Sequence, residues 1–358
     1  DANWIESMNS VMDDNKMLTL ASNERIPVKP FMRLIFEIRD LKYATPATVS
    51  RAGILYISTD SGFQWQSIIA SWILKRDDSF TAAHREALQA LFDKYVPPIL
   101  KYMKKSMKPI VRCEDTNMVM CLLRFLEALL VPKTLNSAVE NLLEASFVFA
   151  SVWAFGSALS IGDDGTNYKK NFSDWWKRTY KVVQFPSQGT IFDAYLFPDG
   201  EQKGEFGKWE ECPTFSVIDF DSRTMSMSEV TVPTGETASV NYWAEHLINM
   251  RNQVMLCGLS GTGKTQIING ILKKLPHDQY MHMNINMNFY TSGSVLMSNL
   301  ESVLQKQTST TFGPPGGHRM VYFIDDLNLP FVDPYNTQSA IALLRQHCDY
   351  EHWYDMSK

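Results

Sequence analysis

The sequence is poor in cysteine: five among 358 residues, at 113, 121, 212, 257 and 348, odd in number, widely spaced and never as C-x-x-C. That pattern argues against a disulfide framework or a cysteine-ligated zinc site and for reduced thiols in a cytosolic setting. No uninterrupted apolar run approaches the roughly 18 to 20 residues of a membrane span, and the start carries no basic, apolar, small-residue signal. A membrane partner is therefore not expected. Excess basic charge is also missing: Lys plus Arg total 34 against 39 Asp plus Glu, a net charge of -5. Nothing overall attracts nucleic acid or an anionic surface. The seven histidines are scattered and no Ser/His/Asp or Cys/His constellation stands out. His347, Cys348, Asp349 and His352 lie near one another, but the spacing of the two histidines keeps them off one helical face, so no metal site is expected there. What is plentiful is core material, with 45% hydrophobic and 12% aromatic residues in a chain long enough for two or three domains. The chain opens at Asp1, without Met, inside what reads as a pattern, and we expect a piece of something longer.

The sharpest feature is Gly258-Leu259-Ser260-Gly261-Thr262-Gly263-Lys264-Thr265, which fits G-x-x-x-x-G-K-[ST] at every fixed position. The apolar run Val254 to Cys257 precedes it as a candidate buried strand, and Gln266 to Lys274 follows with apolar residues at helical spacing. Strand, glycine loop and helix occur in the order that a phosphate-binding loop requires. The glycines let successive N–H groups surround phosphate oxygens, with the positive helix end behind them. With ATP or ADP as the expected ligand, Lys264 is expected to reach the β phosphate and, in ATP, the γ phosphate, and the Thr265 hydroxyl to bind Mg²⁺. Gln266, Val232 and Pro233 complete the expected nucleotide-binding set.

Upstream the chain changes character several times. Residues 1–56 read as mixed α/β. A helix carries Trp4, Ile5, Met8, Val11 and Met12; a hairpin joins Met17–Leu20 to Glu24–Val28 through Ala21-Ser22-Asn23; further strands are expected at Arg33–Ile38 and Ile54–Ile57. Between these last two, Thr45 to Gly53 places Arg51 in a short helical or turn segment, where a lone arginine reads either as a surface salt bridge or as a functional cation. Residues 61–160 are mostly helical. Trp65, Ile68, Ile69, Trp72 and Ile73 form one apolar face and Leu88, Leu91, Phe92 and Tyr95 another, with Val96-Pro97-Pro98 expected to interrupt that second helix. Helices are also expected over 117–130 and 135–159, where Met118, Cys121, Leu122, Phe125, Leu129, Trp153 and Phe155 read as core. Residues 161–230 are rich in turns and aromatics, with strand-like pieces at 195–197, 205–209 and 215–220. A folded connector fits them better than a base-stacking platform, since the lysines form no basic stripe.

From Thr231 the α/β character returns, with a helix over 237–250, a strand over 281–286, a helix over 293–307, a rigid turn at Phe312 to Gly317, and Met320 to Ile324 as an apolar strand ending in Asp325-Asp326. A strand that ends in two carboxylates after a phosphate-binding loop is the expected partner of that loop. Asp325 would hold Mg²⁺ beside Thr265, since Mg²⁺ prefers oxygen ligands and keeps several waters. Asp326 would stand where a base polarises the attacking water, or it caps a following helix. Its side chain is one methylene shorter than the Glu of many ATPases, and misplacement on the order of an ångström costs about a hundredfold in rate. Binding is thus better supported than hydrolysis.

The run Phe312-Gly-Pro-Pro-Gly-Gly, then Val321-Tyr-Phe-Ile-Asp-Asp-Leu-Asn-Leu-Pro330, Leu344-Arg-Gln-His and His352-Trp-Tyr-Asp355 closely resembles the third AAA+ module of axonemal dynein heavy chains. Asp1-Ala-Asn-Trp-Ile-Glu-Ser-Met-Asn9, Val11-Met-Asp-Asp-Asn-Lys16 and Pro46-Ala-Thr-Val-Ser-Arg51-Ala-Gly53 resemble the second. The resemblance implies an α/β P-loop NTPase of the AAA+ type with a helical lid and a small β-containing connector. Residues 1–58 would end the second module's large subdomain, 59–160 form its lid, 161–230 the connector, and 231–358 most of the third module's core, whose own sensor and arginine-finger elements would lie after Lys358. It implies that Arg51 matches an arginine finger directed at the preceding module's nucleotide. It also implies a regulatory third site in a ring that hydrolyses ATP mainly at its first module. The implied partners are neighbouring modules, other dynein heavy, intermediate and light chains, and microtubules reached through a stalk outside these residues. The implied place is the cytoskeleton of a ciliary or flagellar axoneme. A non-hydrolysing structural module stabilised by nucleotide is the alternative.

Overall fold

In the computed structural model, which describes residues 6, 8–38, 40–42, 44–58, 63–131, 135, 142–215, 223, 232–334 and 336–354, the chain divides into two compact units. One comprises residues 1–60, 287–299 and 326–358, the other 61–286 and 300–325. The first unit starts with helix α1 (Asn9–Met12) and strands β1 (Met17–Thr19) and β2 (Arg25–Pro27). The strands pair antiparallel with Leu18 opposite Ile26, and Asn23 turns the chain at φ 64°. Asparagine tolerates that left-handed backbone better than most residues do. Helix α2 (Pro46–Arg51) follows, its N-cap Thr45 accepting from the Thr48 amide and its first position taken by proline. The strands expected at 33–38 and 54–57 do not form: both segments are unpaired among the described residues, with Ile35 94% and Leu55 90% exposed. Apolar runs propose strands, but only a neighbour's ladder makes one. Trp4 and Ile5 lie outside the described residues.

The second unit holds the large core. Helices α3 (Phe63–Leu74), α4 (Ala82–Ser106), α5 (Asp115–Leu129), α6 (Leu142–Gly156) and α7 (Tyr168–Thr179) form the bundle that their apolar faces call for. α6 is buried all round, as an apolar helix in the centre of a bundle must be. α4 runs unbroken through Pro97 and Pro98, against expectation. Both prolines face solvent, so the carbonyls they leave unbonded meet water, while Tyr95, Val96, Ile99 and Leu100 bury the opposite face. The connector pairs β3 (Ala194–Leu196) with β4 (Phe206–Lys208), antiparallel. Its aromatics are core rather than platform: Trp176 and Trp209 are buried, and the Trp209 indole donates to the Phe192 carbonyl at 2.8 Å. Residues 216–220 of the expected third strand lie outside the described ones.

A partly exposed ion-pair cluster ties α4 to α6. The Glu144 carboxylate of α6 accepts from Lys94 Nζ and the buried Tyr95 hydroxyl of α4, each at 2.6 Å. Burial alone raises the Glu144 pKa, but these hydrogen bonds and the Lys94 charge outweigh it and hold the carboxyl below its ordinary value. A depressed folded-state pKa gives stability that is present above the unfolded value and lost as pH falls through the folded one. Melting midpoints of the wild type are therefore expected to fall more between pH 5 and about pH 3 than those of Glu144→Gln. Equal pH dependence of the two would refute this.

Helix α8 (Gly235–Asn249) begins at the capping residue Thr234 and inserts Tyr242, Trp243 and Leu247 into the bundle core, with Trp243 4.3 Å from the Phe125 ring. Bundle, connector and α8 thus share one core. Helix α9 (Lys264–Lys274) follows the glycine loop, and strand β5 (Tyr280–Asn286) follows α9. Helix α10 (Gly293–Glu301) stops short of the expected 307, because Gln305 and Lys306 form strand β6, paired with β7 (Phe312–Gly313). Strand β8 (Arg319–Asp325) lies parallel to β5, Asn286 opposite Asp325. A parallel pair needs a crossover connection, here residues 287–318. In the first unit, helix α11 (Ser339–Tyr350) packs so close to residue 293 that a Cβ there would lie 3.1 Å from the Ser339 carbonyl oxygen, a tight contact that favours Gly293.

Candidate nucleotide-binding site

The glycine loop takes the backbone that its sequence allows and other residues resist. Gly261 and Gly263 sit at φ 78° and 83°, the left-handed region, and a Cβ at either would meet open space. Gly263 is the N-cap of α9 and offers no side-chain cap, so the first N–H groups of α9 have no side-chain oxygen at the helix start. Uncapped amides at the positive end of a helix form a seat for an anion. Lys264 folds its ammonium back over the loop, donating to the carbonyls of Gly258 at 3.0 Å and Leu259 at 2.7 Å. Thr262 Oγ1 donates to the same Leu259 carbonyl at 2.9 Å. Ser260 belongs to the turn that closes the loop.

Sixty residues on, β8 delivers Asp325 to this loop: the Thr265 hydroxyl donates to Asp325 Oδ2 at 2.9 Å. A hydroxyl and a carboxylate side by side below an anion seat are the hard oxygen donors that Mg²⁺ with a phosphate requires. These residues fit Mg-nucleotide. The segment Val254–Cys257 alternates in exposure and pairs with no neighbour among the described residues, so the expected buried strand does not form. β8 is likewise half-buried along most of its length.

The remaining expected positions fall in different places. Pro233 and Gln266 line one cavity of about 580 Å³, together with Thr237, Asn241, Ile267 and Tyr280. Val232 is exposed at its 65% accessibility. Asp326 is exposed at φ 56° and its carbonyl accepts from the Leu329 amide at 3.0 Å. It heads a turn, so it is not the cap of a following helix. Arg51 pairs with Asp13 at 3.2 Å. Asp13, 38 residues away in sequence, is a partner that no spacing rule reveals. His347 packs edge-on to Trp353 and His352 to Tyr354, two separate ring contacts.

Two family profiles match the chain. One, described as the P-loop containing dynein motor region, covers residues 220–358; the other, the dynein heavy chain AAA lid domain, covers 88–211. The whole chain aligns with the dynein alpha chain of the flagellar outer arm of Chlamydomonas reinhardtii at 43% identity, with human dynein axonemal heavy chain 9 at 44%, and with a ciliary dynein beta chain of Heliocidaris crassispina at 45%. In each case the alignment covers 100% of this chain and the chain spans about 8% of the relative's length.

Proposed function

The chain belongs to the axonemal dynein heavy chain family, within its motor region, and from that premise we propose that it serves as part of an ATP-driven microtubule motor ring whose third-module site binds Mg-nucleotide as a slow, regulatory site. The observation that carries this reading is the meeting of Thr265 with Asp325 beneath a glycine loop whose helix end is uncapped. Bound Mg-ATP supplies the γ-phosphoryl group and a cation that neutralises its charge. The chain's own groups do the rest. Loop amides from Gly258 to Thr265 orient the phosphates, Lys264 exchanges its two carbonyl partners for phosphate oxygens, and Thr265 and Asp325 fix the cation. Pro233 and Gln266 stand at the wall of the adjoining cavity, with Val232 beside them in sequence, to bound the rest of the nucleotide. Asp326 orients water, and Arg51 acts on the nucleotide of the preceding module. Neighbouring AAA+ modules and other dynein chains are the partners, microtubules are reached through a stalk outside this chain, and the place is the axoneme.

The Asp at position 326, shorter than Glu and held in a left-handed backbone, favours slow turnover and equally supports a non-hydrolysing scaffold. Nucleotide identity at Lys264 in the full-length ring separates them. With slow hydrolysis, the wild type incubated with ATP holds ADP at this site and Asp326→Asn holds ATP. Intact ATP in both, or an empty wild-type site, would make the scaffold the correct reading.

A further inference from the structure

Arg51 does not project from the first unit. Its side chain folds back along its own helix, Nη1 donating to the Ala47 carbonyl four residues earlier at 2.7 Å, while Nη2 pairs with Asp13 Oδ2 at 3.2 Å. The carboxylate stands at a fixed place because Asp13 is the C-cap of α1, and α1 is clasped to α2 one turn away, where Thr48 Oγ1 donates to Asn9 Oδ1 at 3.1 Å. Asn9 and Asp13 lie four apart on one helix and its cap, Thr48 and Arg51 three apart on the other, so both contacts fall on facing sides. The two short helices thus form a cradle in which the guanidinium is held and its charge offset.

We propose that Asp13 is a positioning residue that parks Arg51 against α1, so that the arginine reaches the neighbouring nucleotide only after leaving this carboxylate. The inference rests on the reading of Arg51 as a finger directed at the preceding module. Its physical basis is competition. A guanidinium that pairs with Asp13 through one Nη and with a carbonyl through the other must release both to approach a γ-phosphate. The pair is partly exposed, with side-chain accessibilities of 30% and 44%, and such ion pairs are weak in water. A strong charge such as the phosphate displaces the carboxylate, whereas a site holding diphosphate gives the arginine less reason to leave. Asp13 thereby ties finger extension to the state of the neighbouring site.

The test uses the full-length chain and its ATP hydrolysis rate. Asp13→Asn, which keeps shape and removes the charge, is expected to raise the rate by about two- to fivefold, the range that the strength of an exposed ion pair converts to. Asp13→Glu retains a carboxylate and is expected to stay near the wild-type rate. The gain must vanish when Arg51→Ala is combined with Asp13→Asn, which a merely structural role for Asp13 would not produce. An unchanged or lowered rate in Asp13→Asn, with Arg51→Ala still slowing hydrolysis, overturns the parking role and leaves the finger intact. No effect of Arg51→Ala alone overturns the finger reading and the parking role with it. Asp13→Ser serves as a second charge-removing variant should Asp13→Asn melt early.

Discussion

Replacing Lys264 with alanine is expected to abolish nucleotide binding at this site at micromolar ATP and leave the fold intact. The ammonium's partners in the structure are the Gly258 and Leu259 carbonyls of its own exposed loop, so its removal leaves no buried group unsatisfied. With nucleotide bound, the same ammonium would face phosphate oxygens across a loop of convergent amides. Hydrogen bonds between charged groups contribute about 1.5 to 3 kcal/mol each, and one lost there weakens binding by roughly tenfold to a hundredfold. The charge itself acts on more than one phosphate oxygen, which puts the expected loss at the upper end. Titration of the full-length chain with a fluorescent ATP analogue, beside a melting curve, checks both halves. Unchanged affinity at this site would show that the loop is not a nucleotide seat.

How much of this site could be read from the sequence follows from how local each feature is. The loop, a helix after it (expected from Gln266 and observed from Lys264) and the end of β8 at Asp325 are set by residues within a few positions: glycines at positive φ, an apolar run, a carboxylate where it stops. All were legible. What was not legible depends on partners far along the chain. The segments 33–38, 54–57 and 254–257 have strand-like composition, but strands are made by neighbours, and none pairs with them among the described residues. Pro97-Pro98 read as a helix break because the rule treats a helix in isolation; burial of Tyr95, Val96, Ile99 and Leu100 overrides it. α10 was read too long because Gln305 and Lys306 are compatible with helix until β7 returns to pair with them. The Asp13 contact with Arg51, 38 residues away in sequence, arises from the packing of two short helices and is invisible to any spacing.

On the regulatory reading proposed above, the route from the site to the bundle runs through one helix. α8 has Trp243 and Leu247 in the bundle core, while its Ile248 packs against Leu272, Leu275 and Tyr280, on and after α9. One rigid helix therefore touches both the bundle and the helix that begins at the glycine loop. Displacement of α9 by phosphate would press on α8 and, through a close-packed core that transmits strain, on the bundle. That continuity suits a regulatory site better than a site built for turnover alone.

The larger kinetic effect is expected away from this loop. Arg51→Ala in the full-length chain is expected to slow ATP hydrolysis by about a thousandfold, the lower end of what an arginine finger contributes. That corresponds to about 4 kcal/mol of lost transition-state stabilisation. The loss should fall mainly on kcat with a smaller rise in KM, because a guanidinium drawn off Asp13 and the Ala47 carbonyl by a bound triphosphate acts most strongly on the charge that shifts during phosphoryl transfer. Stability should hardly move, since the Asp13 pair is partly exposed and contributes at most about 1 kcal/mol. Arg51→Lys separates charge from shape. An ammonium retains the cation but not the planar fork that bridges two oxygens, and an intermediate rate is expected. If Arg51→Ala instead lowered the melting midpoint and spared kcat, the residue would be what its structural contacts alone describe, a surface cation that ties α2 to α1. Each outcome moves one measurement and spares the other, so a single variant decides which role the arginine plays.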